Sequence, residues 1–390
     1  MPGEQPKVNP DHLIKYLSDI YPYDLLFRWL SPDPAWFPHR EIAFFTTKSN
    51  NETIAQRYKS FTNGETWRQT ILSQIRSHGA PPSRFEFGAL YNINLAHKKM
   101  ANVFPIAREF VIDIDTDDYD AVRTCCSGSS YCQGCFPLLT TAAQICSEIL
   151  SFCFDLHHVI WVYSGRRGLH GWVCDNKSRK MNNLTRSRIA KFLSLAASRS
   201  PGAMFSQLPQ RKLLEFTDRL INQNDVNMGL LTALYNARQD DIFGVDSEEN
   251  EKIWRTFLNN IKGSHGILVS QIESSIARAR ESAYFNSTEL KAIFHQHLPE
   301  TLLLELVWWT VGPRLDVNVS AQMNHLLKAP FCIHPGTGFV CVPLSRERIC
   351  DFYPEPDNYE VNLKNVVEDP SILDPYFNFM EQFIKEVKNS

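Results

Sequence analysis

Asp113 and Asp115 stand two residues apart in EFVIDIDTDDYD, residues 109–120, at the end of a run that is otherwise apolar. Side chains alternate along a strand, so Phe110, Ile112 and Ile114 point to one side while Val111, Asp113 and Asp115 point to the other. Two carboxylates sharing a face, roughly 6.5–7 Å apart, can converge on divalent cations and are costly to leave unpaired. A strand end running into an acidic turn is the alternative, and DTDDYD fits it too. An EF-hand does not fit: counted from Asp113, Asp118 stands at the glycine position and Thr124 at the closing glutamate. The alternation recurs in PRLDVNVS, where Leu315, Val317 and Val319 face one way and Asp316, Asn318 and Ser320 the other. This predicts a strand over 314–320 and a third carboxylate on a polar strand face. Three acids on two strands suit a two-metal centre, in which Mg2+ or Mn2+ ions about 3.5–4 Å apart hold an attacking and a leaving oxygen on phosphorus.

A second group lies in VYSGRRGLHGWVC, residues 162–174, which reads as a hairpin with a glycine-rich turn. Gly165 and Gly168 let a ligand approach the backbone closely. Ser164, Arg166, Arg167 and His170 supply directed donors and forked cations suited to a polyphosphate; solvated arginines on an ordinary hairpin are the alternative. Neither the G-x-x-x-x-G-K-[ST] nor the G-x-G-x-x-G pattern occurs. Lys328 and His334 follow Asp316 closely enough to reach the same polyphosphate, although neither stands out by spacing. A third group is CCSGSSYCQGC: Cys125, Cys126, Cys132 and Cys135 offer four thiolates with a C-x-x-C turn on one side, a donor set for tetrahedral Zn2+. Four sulfurs close the coordination shell, which makes such a site structural and not catalytic.

The elements that must carry these groups are a helix over 11–30 interrupted near Pro22, strands at 40–46, 86–93 and 108–115, a hairpin over 158–175, and between the last two a helix over 138–154. From 184 to 310 the patterns are helical, as in RSRIAKFLSLAAS, RKLLEFTDRLINQ, EKIWRTFLNNI and LVSQIESSIARARES. Strand character returns at 314–320 and 338–344, before a final helix over 375–388; the proline-bearing tail beyond 350 is expected to lie loosely on the surface. The fold class is mixed α/β (α+β), with a catalytic core over 1–183 that includes the cysteine motif 125–135, a helical subdomain over 184–304, and a second core part with the tail over 305–390.

With 390 residues, 43% hydrophobic and 12% aromatic, the chain can bury a sizeable core. Its net charge of −3 means that a nucleic acid would have to meet a local basic groove. No apolar run approaches the roughly 18–20 residues of a membrane span, and the start MPGEQPKVNPDHL lacks a secretory core, so the expectation is an intracellular protein that meets no membrane. The six scattered cysteines read as small buried hydrophobes.

FVIDIDTDDYDAVRTCCSGSSYCQGC, WVYSGRRGLHGWVCD and PRLDVNVSAQMNHLLKAPFCIHPGTG, in this order, resemble the small catalytic subunit of eukaryotic and archaeal DNA primase. YPYDLLFRWL, HREIAFF and QRYKSF extend the resemblance over most of 10–180 and 305–345. It implies a primase-type catalytic domain with a zinc motif and a variable helical subdomain. By it, Asp113, Asp115 and Asp316 match the catalytic metal ligands for Mg2+ or Mn2+, and Ser164, Arg166, Arg167 and His170 match the element that holds the incoming triphosphate. Lys328 and His334 match a later basic pair, Arg57 a nucleotide-contacting arginine, and Glu41 an acid near the site. Glu86 stands where the vertebrate form has aspartate, and Ala321 and Gly336 where it has lysines, which bears on sugar contact and template grip. The resemblance further implies synthesis of RNA primers on single-stranded DNA from ribonucleoside triphosphates, a larger primase subunit and the polymerase α assembly as partners, and a nuclear location. A primase-polymerase preferring deoxynucleotides, a phosphodiesterase using the same acids, and a zinc-knuckle nucleic-acid-binding protein without catalysis are the competing readings.

Overall fold

The run REIAFFTT, apolar on both faces, forms β1 (Arg40–Thr47) at the middle of a sheet in the computed structural model, which describes residues 8–31, 33–47, 52–78, 81–97, 102–194, 234–356 and 358–389. β2 (Thr53–Lys59) pairs antiparallel with one edge of β1 and β3 (Arg84–Tyr91) with the other, and β4 (Pro105–Ala107) lies beyond β3. A second sheet begins with β5 (Phe110–Asp115). β6 (Val159–Tyr163) and β7 (Gly168–Val173) form the expected hairpin, with Val162 opposite His170 and β7 next to β5. β8 (Leu327–Lys328) returns to the first sheet, setting Lys328 opposite Glu86, and β9 (Pro343–Leu344) pairs with β6 in the second.

Two compact units result, Met1–Asp113 with Leu150–Ala190 and Asp316–Ser390, and Ile114–Ile149 with Lys191–Leu315. The first holds both sheets except the last two residues of β5; its helix α1 (Pro10–Lys15) runs on as a π-helical turn over Tyr16–Ile20, and α2 (Tyr23–Leu30) begins after the expected break at Pro22. α3 (Gly64–His78) packs Trp67 and Ile71 into the core of the same unit. The long helix of the second unit, Lys252–Ala279, buries Trp254, Phe257, Leu258, Ile261, Val269 and Ile272 along one face and breaks helical geometry at His265. RKLLEFTDRLINQ and the end of RSRIAKFLSLAAS lie outside the described residues.

Four expectations need correction. Residues 314–320 are not a strand: Val317–Ala321 is a short helix, because the Asp316 side chain accepts from the Asn318 amide at 2.8 Å and so caps a helical turn that the Val-Asn-Val-Ser alternation does not announce. Of 338–344 only Pro343–Leu344 is strand, with isolated bridges at Val340 and Phe339. The tail is not loose: Leu373, Met380, Phe383 and Ile384 are buried, Phe377 packs on Phe331, and the Val340 amide donates to the Val361 carbonyl at 3.0 Å. Finally, α4 (Pro137–Phe154) is 18 residues long and apolar enough to match a membrane span by length and composition. Just over half of it is buried, as in the core helix of a folded domain, since Ala142, Ala143, Cys146 and Leu150 all face inward.

Immediately before β5, Glu109 lies fully buried between two arginines. Arg40 of β1 forks onto both of its oxygens at 2.8 and 2.9 Å, and Arg179 adds a third bond at 3.1 Å. Arg186 donates to the carbonyls of Arg108 and Glu109, while Arg108 reaches the Gln322 carbonyl at 3.1 Å. Burial alone would raise the Glu109 carboxyl; the two guanidiniums outweigh it and bring it down to about 2.

Removing one partner of a buried pair leaves an uncompensated charge, so Glu109→Gln should cost about 3–5 kcal/mol at neutral pH. A folded-state pKa below the ordinary 4.5 means that this contribution is complete above 4.5 and is lost as pH falls through about 2. Denaturant melts of wild type and variant should therefore differ most near pH 7 and converge in acid. Equal stability at pH 7 would show that the cluster does not hold the strand.

Candidate active site

Along β5 the two acids are the half-exposed residues, with Phe110, Val111, Ile112 and Ile114 buried. Asp113 opens into a cleft of about 380 Å³ in the first unit, which His170, Lys328, His334, Glu86 and His325 also line. His170 reaches it from β7, its Nε2 3.6 Å from Asp113 Oδ1. The Asp316 amide donates to the Asp113 carbonyl at 3.0 Å, so the third acid is fixed beside β5 by backbone although it is on no strand. β5 runs on past Asp113, and Asp115, its last residue, caps the 3-10 helix Thr116–Val122 by accepting from the Thr116 amide at 2.7 Å. Two of the three acids are thus helix caps, each with Oδ1 held by an amide.

The hairpin turn closes when the Ser164 amide donates to the Gly168 carbonyl and the Gly168 amide to Ser164 Oγ, both at 2.9 Å. Gly165 sits at φ +82, and a Cβ there would lie 2.7 Å from His334 Cβ, so only glycine allows the turn to lie against that histidine. Lys328 Nζ donates to the Ser164 carbonyl at 3.0 Å and Thr337 Oγ1 to the Gly165 carbonyl at 2.6 Å. Turn, Lys328 and His334 therefore form one braced assembly, with Arg166 and Arg167 half-buried at its tip. Burial, then Lys328, pushes His170 down to about 3; burial, then Lys328, Arg166 and Arg84, does the same to His334. Both imidazoles are neutral at pH 7, in a cleft with acids on one side and cations on the other.

Arg57 and Glu41 form a separate assembly. The fully buried Glu41 accepts Arg57 Nε at 2.9 Å and Nη2 at 3.0 Å, the Tyr58 amide at 3.1 Å and Tyr91 Oη at 3.1 Å. A Cβ on Gly88 would lie 2.7 Å from Glu41 Oε2, so a glycine leaves room for this carboxylate. Glu41 faces no ligand space; it aims Arg57, whose Nη2 also reaches the Asn324 carbonyl at 3.2 Å. A register shift between β1 and β2 places Tyr58 at φ +59 and turns Arg57 inward. Sequence reading passed over His325 and Arg84, since a single basic residue in a loop or at a strand start carries no spacing signal.

In the second unit the sulfurs of Cys125, Cys126, Cys132 and Cys135 all lie within 4.8 Å of one another, close to the ~3.8 Å edge of a tetrahedron with 2.3 Å metal–sulfur bonds. The cluster can hold a metal ion. A hydrogen bond from Cys125 leads the effects that bring the Cys135 thiol down to about 5 against burial, helped by the Cys132 amide and Arg123. The C-x-x-C segment turns back on itself, with the Cys135 and Phe136 amides both donating to the Cys132 carbonyl.

Residues 112–346 match the model of the DNA primase small subunit family. The DNA primase small subunit of Schizosaccharomyces pombe is 33% identical over 379 residues, covering 90% of this chain and 76% of the relative. That of Drosophila melanogaster is 32% identical, covering 90% and 80%, and that of Saccharomyces cerevisiae 30% identical, covering 95% and 90%.

Burial first, and then the neighbouring cations, keep the His334 ring neutral; an anion seated against it would offset the cations' share and raise its pKa. Binding of inorganic triphosphate at pH 6 should therefore take up protons, seen as a calorimetric enthalpy that varies with the buffer's ionisation enthalpy and flattens in His334→Asn. Without ligand the sign is opposite: a folded pKa near 3 against an ordinary 6.5 makes stability fall as pH drops below 6.5. Triphosphate binding with no proton uptake in wild type would take His334 out of the anion's reach.

Proposed function

The chain belongs to the DNA primase small subunit family, and from that membership we propose that it joins ribonucleoside triphosphates into short RNA primers on a single-stranded DNA template. The observation that carries this reading is the cleft itself, where Asp113 and the Asp316 backbone stand opposite Lys328, His334 and the braced Ser164–Gly168 turn. Asp113, Asp115 and Asp316 are the residues to hold Mg2+ or Mn2+. Such ions, when bound, neutralise charge on phosphoryl oxygens and lower the pKa of an attacking hydroxyl.

The rest falls to side chains of this chain. Arg166 and Arg167 present forks to phosphate oxygens, and Lys328 adds a point charge whose position the Ser164 carbonyl sets. The Ser164 hydroxyl orders the turn. His170 and His334, neutral before binding, accept protons as negative charge arrives. Arg57, aimed by Glu41, is a second cation for the nucleotide or primer, and Glu41 acts through it as a positioning residue. The four cysteines hold zinc as a closed, structural site. We assign the large primase subunit and the polymerase α assembly as partners, and the nucleus as location, by the same family membership.

The test is incorporation of a radiolabelled ribonucleoside triphosphate on single-stranded DNA with Mg2+ or Mn2+, alongside a deoxynucleotide. Asparagine caps helices about as well as aspartate, so Asp115→Asn and Asp316→Asn should melt like wild type, whereas alanine costs about 1 kcal/mol. Each asparagine variant should lose synthesis on the order of a hundredfold or more. Full synthesis in the asparagine variants would remove these acids from the metal site; deoxynucleotides used in preference would make the chain a primase-polymerase.

A further inference from the structure

We propose that Arg123 is a positioning residue of the cysteine metal centre, supplying the positive charge that such a centre needs and closing its loop before metal arrives. The inference rests on the metal reading of the four cysteines. Four thiolates around one divalent cation leave an excess of negative charge, and a site held inside protein must meet that excess with a cation or with amide donors. Arg123 stands two residues before Cys125, and its side chain has no exposed surface.

Its guanidinium is used along its whole fork. Nε and Nη2 donate to Asp120 Oδ1 at 2.9 and 2.6 Å. Nη1 donates to the Ser130 carbonyl at 2.8 Å and Nη2 to the Gly128 carbonyl at 3.0 Å. Nη1 also points at Cys135 Sγ, 3.4 Å away. One rigid planar group thus joins an acid on the 3-10 turn, two carbonyls of the loop between the cysteine pairs, and a sulfur of the second pair. Asp120 closes the circle from its other oxygen, accepting the Gly128 amide at 2.9 Å where Gly128 takes φ +55. The backbone carbonyl of Asp120 receives Lys252 Nζ at 2.8 Å, tying the 3-10 turn to the long helix of the unit.

Lysine keeps the charge but has one nitrogen in place of the fork, and cannot bridge Asp120 and Cys135 together. Glutamine removes the charge and keeps polar length. The experiment measures zinc affinity by competition with a chromophoric chelator, and the thiolate-to-cobalt absorption band after Co2+ substitution, in the full chain as wild type, Arg123→Lys and Arg123→Gln, with folding checked by circular dichroism. Both variants should bind zinc about 10–100-fold more weakly, glutamine the more so, and both should shift the cobalt band because Cys135 loses the guanidinium donor and keeps only that from the Cys132 amide among its N–H···S bonds. Unchanged zinc affinity in two folded variants overturns the proposal. Weaker binding with an unaltered cobalt band overturns the contact with Cys135 and leaves Arg123 a loop brace. A wild type that takes neither zinc nor cobalt while its thiols titrate freely overturns the metal reading beneath.

Discussion

Glu109, buried between Arg40 and Arg179, fixes where β5 begins. A carboxylate in that position is tolerable only where two guanidiniums await it, so one register of the strand is permitted. Register matters here more than stability. A slip of one residue would exchange the two faces of the strand, burying Asp113 and sending Ile112 or Ile114 into the cleft. Glu109, Val111 and Asp113 share a face, which passes within three alternate residues from a buried ion pair, through an apolar side chain, to a half-exposed acid. The bond from the Asp316 amide to the Asp113 carbonyl then carries the same register to the third acid.

What the sequence revealed followed the range of the forces involved. β5, the β6–β7 hairpin and the cysteine cluster are local patterns, written in alternation, glycine placement and spacing, and each could be read directly. Asp316 was harder. Val317, Asn318 and Val319 alternate like a strand, and the single hydrogen bond from the Asn318 amide that decides for a helix is worth only about 1 kcal/mol. β2 carries no apolar alternation because most of it is exposed, and Glu41 looks like an ordinary strand residue until Arg57, Tyr58 and Tyr91 are seen around it. Tertiary contacts also decided the tail, where the prolines that suggest irregular chain coexist with buried Leu373 and Met380.

The contrast between the cysteine cluster and the aspartates is likewise physical. Four sulfurs around an ion would leave no position for substrate, whereas Asp113 lies in an open cleft. Bracing recurs in both places: Arg123 spans the cysteine loop, and Lys328 with Thr337 spans the glycine turn. In each case a long side chain satisfies loop carbonyls that would otherwise need water, and the loop keeps one shape.

The two aspartate caps bear on denticity. Asp115 and Asp316 each lend Oδ1 to a backbone amide, and the Asp115 side chain also accepts from the Asp118 amide, so capping bonds compete with any bond from these carboxylates to an ion. Calcium gathers six to eight oxygens and favours carboxylates that chelate with both; magnesium takes single oxygens in an octahedron and keeps its waters. Were an ion to bind these proposed ligands, caps of this kind would suit one that takes single oxygens better than one that chelates. A preference of that kind would be written in two helix ends.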